Sequence, residues 1–335
     1  MTLTPGQRIE TPNGSAYAVG ECVAETPWYR LSAAKKIFSN YRYDDRQFYE
    51  AADDEHIEVI IRHAPSASTN NQSLRDQFSE RLWFESSEVL AKHRSWMPES
   101  IDWIDRGDDS LLVMSSPRGQ TLRQWRNSDD CCLPLCLRIA GEILSCLDSI
   151  HNHRQVIGGF GPDDFVIDAA SRITLRATDR VTSADDTRNV RPPLPPERYP
   201  RGFSAPETLR ADGPLDSSSD LYSWGQIFQF LMTGDAEPVA AVDNKRDAGI
   251  DRLTEALHEL ARATPQTLRA FSSRKDRRTL DDIITGWSLC VERCLDADPD
   301  RRPANVAALR RLALNGGAGP LRQGWRRLTR LFGGK

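Results

Sequence analysis

The chain has 335 residues, 39% hydrophobic and 27% charged, with a formal net charge of −4. This is the balance of a folded globular chain long enough for one large domain or two lobes, and it gives no global reason to expect nucleic acid as a partner. No apolar run is long enough to cross a bilayer, and the opening MTLTPGQRIE lacks the apolar core of a secretory signal, so a cytoplasmic protein is expected. The seven cysteines contain no C-x-x-C pair and no partnering histidines, which argues against a zinc site or a disulfide framework. They read as small core residues of a reducing compartment.

In chain order, alternating patterns predict strands over Ser15–Val23, Tyr29–Phe38 and His56–Arg62. The turn between the first two, Ala24–Tyr29, has no glycine, carries Glu25 and places Pro27 where no N–H is available. Leu74, Phe78, Leu82, Val89 and Leu90 predict a helix over Ser73–His93. Trp103–Met114 reads as a hairpin with a Gly107-Asp108 turn, and the connector Ser115–Leu122 follows. A long amphipathic helix is expected over 133–151, then a glycine-rich loop, Ile157–Asp164, running into the strand Phe165-Val166-Ile167. Arg172–Arg176 gives another strand, and the proline density of Arg191–Arg201 favours extended polyproline II. That segment is either a ligand for a partner groove, through Pro192-Pro193-Leu194-Pro195, or a stiff covering loop.

The run from Asp220 carries Leu221, Trp224, Ile227, Phe228 and Leu231 at helical spacing, and Ser217, Ser218 and Ser219 precede it as candidate caps. It is apolar on nearly all sides apart from Gln226 and Gln229, the pattern of a buried central helix. Amphipathic helices are expected over 250–262, 281–295 and 303–314, with a basic solvated loop at Ser272–Arg278. Beyond the Gly316–Pro320 break, Leu321, Trp325, Leu328 and Phe332 share one helix face, with Arg322, Arg326, Arg327, Arg330 and Lys335 around it. Such a helix suits an anionic membrane surface or a partner groove; docking on its own chain is the plainer alternative.

Ala205-Pro206-Glu207, followed by Asp220 to Gly225 and Thr233-Gly234, resembles the end of the activation segment and the central helix of the eukaryotic-type protein kinase superfamily. The run Asp298-Pro299-Asp300-Arg301-Arg302-Pro303 resembles that family's late Asp-Pro-x-x-Arg-Pro motif. The resemblance implies an α+β, bilobal protein-kinase-like fold with a small β-rich N-lobe and a larger helical C-lobe. Residues 1–14 would be an N-terminal extension, 15–115 the N-lobe, 116–314 the C-lobe, and 315–335 a linker with the basic helix. It further implies a buried Glu207–Arg302 ion pair, structural roles for Asp220 and Gly225, and nucleotide-pocket remnants at Arg62, Glu85 and Met114. Arg62 stands at the family's lysine, and Glu85 is its expected partner, with Glu80 the competitor; an ordinary surface pair is the plainer alternative.

The chemistry expected of that family is missing. With the register set by Pro162 and Phe165-Val166-Ile167, Gly159 falls at the general base, Gly161 at the phosphate lysine and Asp164 at the metal-binding asparagine. Ala177 falls at the second metal ligand. Loss of a general base alone removes a factor of roughly a hundred to ten thousand. The expectation is a pseudokinase, a catalytically silent scaffold or regulatory module with a protein partner and no ATP, magnesium or other metal cofactor. Its C-terminal helix would place it peripherally at the inner membrane surface. The alternatives are an atypical ATP-dependent kinase using Asp163, Asp164 or Asp168 as substitutes, and an unrelated fold. Asp163 also has a plainer role, in an Asx-type turn.

Overall fold

The structure is a computed structural model that describes residues 3–11, 15–25, 30–38, 57–63, 79–105, 110–128, 131–184, 199–210, 215–235, 246–263 and 273–315. It is a mixed α+β chain in two compact units, Met1–Arg118 and Gly119–Lys335. Five expectations lie wholly or largely outside the described residues: the turn at 26–29, the start of the 73–93 helix, the Gly107-Asp108 turn, the proline-rich stretch as far as 198, and the C-terminal helix at 316–335.

The first unit is built on one antiparallel sheet of six strands. They are β1 (Arg8–Glu10), β2 (Ala16–Glu25), β3 (Arg30–Phe38), β4 (Ile57–His63), β5 (Ser100–Asp105) and β6 (Ser110–Ser115), in the spatial order β1-β2-β3-β4-β6-β5. The described residues 3–11, which fall within the expected extension 1–14, supply β1 to this sheet. The alternation of β1 sends Ile9 fully into the core beside Leu3 and Tyr17, so that segment belongs to the sheet. Val59 and Ile61 enter the same cluster with Ile104, Leu111 and Val113. The Tyr17 hydroxyl donates to the Asp102 carboxylate, linking strands far apart in the sheet order, as a curled sheet allows. Burial first, and then Asp102, hold the Tyr17 phenol well above its usual pKa.

The period of two sends Arg62 to the other face, directly opposite Leu112, while Met114 stands opposite Ile60. Both faces of β6 are buried through Met114. The helix expected over 73–93 is seen from residue 79, and it widens into a π-helix at Glu85–Leu90. In a π-turn residues five apart stack, so Glu85 and Leu90 face inward together.

The second unit is mainly helical. Its helices are α1 (Leu122–Arg126), α2 (Leu133–Asn152), α3 (Pro206–Arg210), α4 (Ser217–Thr233), α5 (Arg246–Ala263), α6 (Arg274–Cys294) and α7 (Val306–Asn315). Between α2 and α3 run β8 (Gln155–Val156), β9 (Phe165–Ile167), β10 (Ile173–Leu175) and β11 (Thr182–Ser183), and β7 (Gln120–Thr121) precedes α1. They form a three-stranded sheet in the order β10-β9-β7 and a β11-β8 pair. Helix α1 opens on a capping box in which Thr121 Oγ1 accepts from Gln124 N–H and Thr121 N–H donates to Gln124 Oε1.

Helix α4 is buried at every residue from Ser218 to Met232, as its all-round apolar pattern predicts. Its cap is Asp216, whose carboxylate accepts from the N–H groups of Ser218 (2.7 Å) and Ser219 (3.3 Å). The serines expected to cap occupy its first turn instead. The hydroxyls of Ser217 and Ser219 bond outward, to the Ala304 carbonyl and to Glu207, because the stronger anionic acceptor already holds the free N–H groups. Trp224 packs against Phe228 and Trp287 and donates its indole N–H to the Ala140 carbonyl at 2.9 Å. Gly225 lets Cys294 and Leu295 approach: an added Cβ would lie 3.0 Å from a side-chain atom of each. The basic stretch at Arg274–Arg278, expected to be a loop, instead opens α6, which suits Arg and Lys as good helix formers.

Arg302 joins two distant stretches of this unit. Its fork grips Glu207 through Nη1–Oε1 at 2.6 Å and Nη2–Oε2 at 2.9 Å, and its Nε donates to the Asp296 carbonyl. The guanidinium lies 4.9 Å over the Tyr222 ring, and Ser219 adds a further bond to Glu207. Burial alone would raise the Glu207 pKa, but the bond and charge of Arg302 hold it below the usual range. A depressed folded-state pKa contributes stability that is complete above the unfolded value, about 4.3, and is lost as pH falls through the folded one. Arg302→Met, which strands a buried carboxylate, should lower unfolding free energy by about 3–5 kcal/mol near neutral pH. In urea titrations the stability gap between wild type and Glu207→Gln should narrow as pH drops below about 4.3.

Candidate functional site

Two groups of residues carry the chemistry anticipated from sequence, one in each unit. In the first unit Arg62 Nη1 donates to Glu85 Oε1, and both side chains are almost fully buried. Glu80, the alternative partner, is exposed. Met114 is buried on the sheet face that carries Arg62. The widened turn at Glu85–Leu90 puts the glutamate inside, and the alternation of β4 points Arg62 to the face opposite Val59 and Ile61.

In the second unit the loop Ile157–Gly161 is tied on all sides to its own scaffold. Asp220 on α4 is fully buried and accepts from Ile157 N–H at 3.0 Å and Gly158 N–H at 2.8 Å, and its Oδ2 lies 2.9 Å from His151 Nε2. Thr208 Oγ1 donates to the Gly158 carbonyl at 2.8 Å, and Arg180 Nη1 to the Gly159 carbonyl at 3.1 Å. Gly161 N–H donates to Asp164 Oδ2 at 2.7 Å. The polar groups of this loop are thus directed into the protein.

The glycines have little space around them. Gly158 takes φ of +80°, a conformation that side chains rarely adopt. A Cβ added at Gly159 would stand 2.5 Å from Ser204 Oγ and 3.1 Å from Tyr199. One at Gly161 would lie 3.1 Å from Pro200. Residues 199–204, the described end of the proline-rich stretch, therefore fill the volume that side chains at 159 and 161 would need.

Each of the three candidate acids meets an arginine. Asp164 accepts a two-pronged pair from Arg180, at 2.8 and 2.6 Å, with both side chains largely buried. Asp163 pairs with Arg123 at 2.8 Å in a more exposed setting, in a short 3-10 turn and not as the Asx-type cap considered from sequence. Asp168 binds Arg172 and accepts from the N–H groups of Ala170 and Arg172, so the Asx-type turn is its own. Ala177 is buried and opens a 3-10 turn in which Thr178 and Asp179 are also buried. Among the described residues, no group of three His, Cys, Asp or Glu side chains is arranged to hold a metal ion, and no helix is long and apolar enough to cross a membrane.

Arg180, Tyr199, Ser204, Thr208 and His151 were not singled out from sequence. For Tyr199 and Ser204 the available signal was the density of glycine at 158, 159 and 161, which marks backbone approached closely by something else. Arg180 had none, because its partner is set only by the turn at 178–180. No protein-family model matches the chain, and no curated protein matches it in sequence.

Asp220→Asn replaces one acceptor oxygen by an amide that faces donor groups. It should cost roughly 3 kcal/mol. Hydrogen exchange should quicken at the amides of Ile157 and Gly158 well before it does in helix α7; equal acceleration throughout the unit would mean only global loss of stability.

Proposed function

We propose that this chain is a pseudokinase, a catalytically silent protein-kinase-like domain that serves as a scaffold or regulatory binding module. The observation that carries the proposal is at Gly159, where the resemblance puts a general base: no side chain fits there without displacing Ser204 and Tyr199. The pairing of Asp164 with Arg180 supports the same reading. Phosphoryl transfer needs a carboxylate or amide free to hold magnesium, and this carboxylate spends both oxygens on a guanidinium. The exposed pairs of Asp163 and Asp168 are weaker and would yield more readily.

The parts kept from the kinase pattern are those that carry load in the fold: Glu207–Arg302, Asp220 with its loop, and Arg62–Glu85. Stripped of chemistry, such an architecture offers surfaces. In this proposal the basic segment at 321–332 tethers it, with Leu321, Trp325, Leu328 and Phe332 entering an anionic bilayer and Arg326, Arg327 and Arg330 meeting its headgroups.

Thermal unfolding with millimolar ATP and magnesium should match unfolding in magnesium alone. A magnesium-dependent rise in Tm that is lost in Asp164→Ala, each protein compared with its own nucleotide-free control, would overturn the silent reading in favour of an atypical kinase. For the tether, the full chain should co-sediment with phosphatidylserine-containing vesicles more than a chain ending at Asn315. Equal binding removes the membrane role and leaves the silent fold untouched.

A further inference from the structure

Helix α2 begins with an arrangement that the scaffold role does not use. Cys132 caps the helix, Cys131 precedes it, and Cys136 lies in its second turn, where its N–H donates to the Cys132 carbonyl at 2.9 Å. The Sγ atoms of Cys131 and Cys136 are 3.4 Å apart. Cys131 is partly open to solvent, whereas Cys136 is completely buried, with its thiol also within reach of the Leu231 carbonyl at 3.6 Å. Arg126 donates to that same carbonyl through Nε at 2.6 Å and to the Met232 carbonyl at 3.2 Å, at the last turn of α4. One accessible sulfur, one shielded sulfur and a cation thus converge on the end of the central helix.

We propose that Cys131 and Cys136 form a redox-active dithiol, a modification site that captures a low-molecular-weight disulfide at Cys131 and resolves it with Cys136. The proposal stands apart from the pseudokinase reading. The hydrogen bond between the two sulfurs outweighs burial at Cys131, and the Arg126 charge adds to it, bringing the Cys131 pKa down to about 7. The same contact, together with burial, pushes the Cys136 thiol up. Cys131 is therefore the attacking sulfur, and Cys136 stays protonated until it resolves.

In the first step the Cys131 thiolate attacks a small disulfide RSSR. The S–S bond of RSSR breaks, a Cys131–S–S–R bond forms, and RS⁻ leaves and takes up the proton that Cys131 had lost to solvent. In the second, Cys136 sulfur attacks Cys131 Sγ and expels the other RS⁻, which departs as RSH with the Cys136 proton. The protein dithiol is oxidised by two electrons, and RSSR is reduced to two RSH. The two sulfurs must close from 3.4 Å to a bond of about 2.05 Å. Closure removes the thiol that reaches the Leu231 carbonyl and the thiolate beside Arg126, so the redox state is felt at the C-terminal turn of α4.

The test is native full-length protein treated with oxidised glutathione at neutral pH, followed by acid quench, alkylation and peptide mass mapping. A Cys131–Cys136 bridged peptide is expected, reversed by dithiothreitol. In Cys136→Ala, glutathione should remain on Cys131 as a stable adduct, and Cys131→Ser should leave Cys136 unmodified. A bridge from Cys131 to Cys132, adducts confined to Cys22, or a persistent glutathione adduct on Cys131 of the wild type would each overturn the proposal. If Cys136→Ala fails to fold, mapping of the wild type decides alone.

Discussion

The carboxylate of Asp220 sits in the middle of a helix buried on every side, and much of the second unit follows from its needs. A charge there cannot be hydrated, and leaving it unpaired would cost several kcal/mol. The donors it finds are two successive backbone N–H groups, of Ile157 and Gly158, and the ring of His151. Those bonds pin the loop after β8 to α4. Once the loop is pinned, Thr208 and Arg180 can reach its carbonyls, and Asp164 can reach Gly161 N–H. The loop is a joint between helix and strand, with its polar groups turned inward.

The ion pairs differ in what they can do. Glu207–Arg302 is two-pronged, buried and fully hydrogen-bonded, the setting in which breaking one partner is costly. Arg180–Asp164 is similar in geometry and slightly more open. Arg123–Asp163 and Arg172–Asp168 are surface pairs, the kind that contribute between nothing and about 1 kcal/mol. The well-buried pairs therefore hold the architecture, while the exposed ones order loops. In the first unit Arg62–Glu85 belongs with the buried class, and the π-turn that carries Glu85 exists at the cost of regular helix bonding.

Several of these features were legible in advance. The buried helix α4 could be read from its nearly all-round apolar pattern, and the strands from β2 onward in the first unit from their local patterns, whereas β1 was not anticipated. Arg62 with Glu85 and Glu207 with Arg302 were anticipated as pairs from a family resemblance, and both contacts are present. Other details could not be read. The cap of α4 fell to Asp216 although three serines were equally good candidates by type, because capping depends on which side chain the incoming backbone aims at the free N–H groups. The early start of α6 was hidden by charge, which marks exposure and is silent about helicity.

Sequence by itself marked the main buried elements: a helix apolar on nearly all sides belongs inside, alternating runs pair into a sheet, and glycines at 158, 159 and 161 mark a place where no side chain stands. Only the tertiary structure decided what took the vacant space and who neutralised the remaining charges. Tyr199, Pro200 and Ser204 fill the volume beside the glycines, and Arg180 claims Asp164. The reason is physical. Periodicity is a local property of the chain, whereas the partner of a carboxylate or the neighbour of a missing Cβ is fixed by segments brought together only when the core closes.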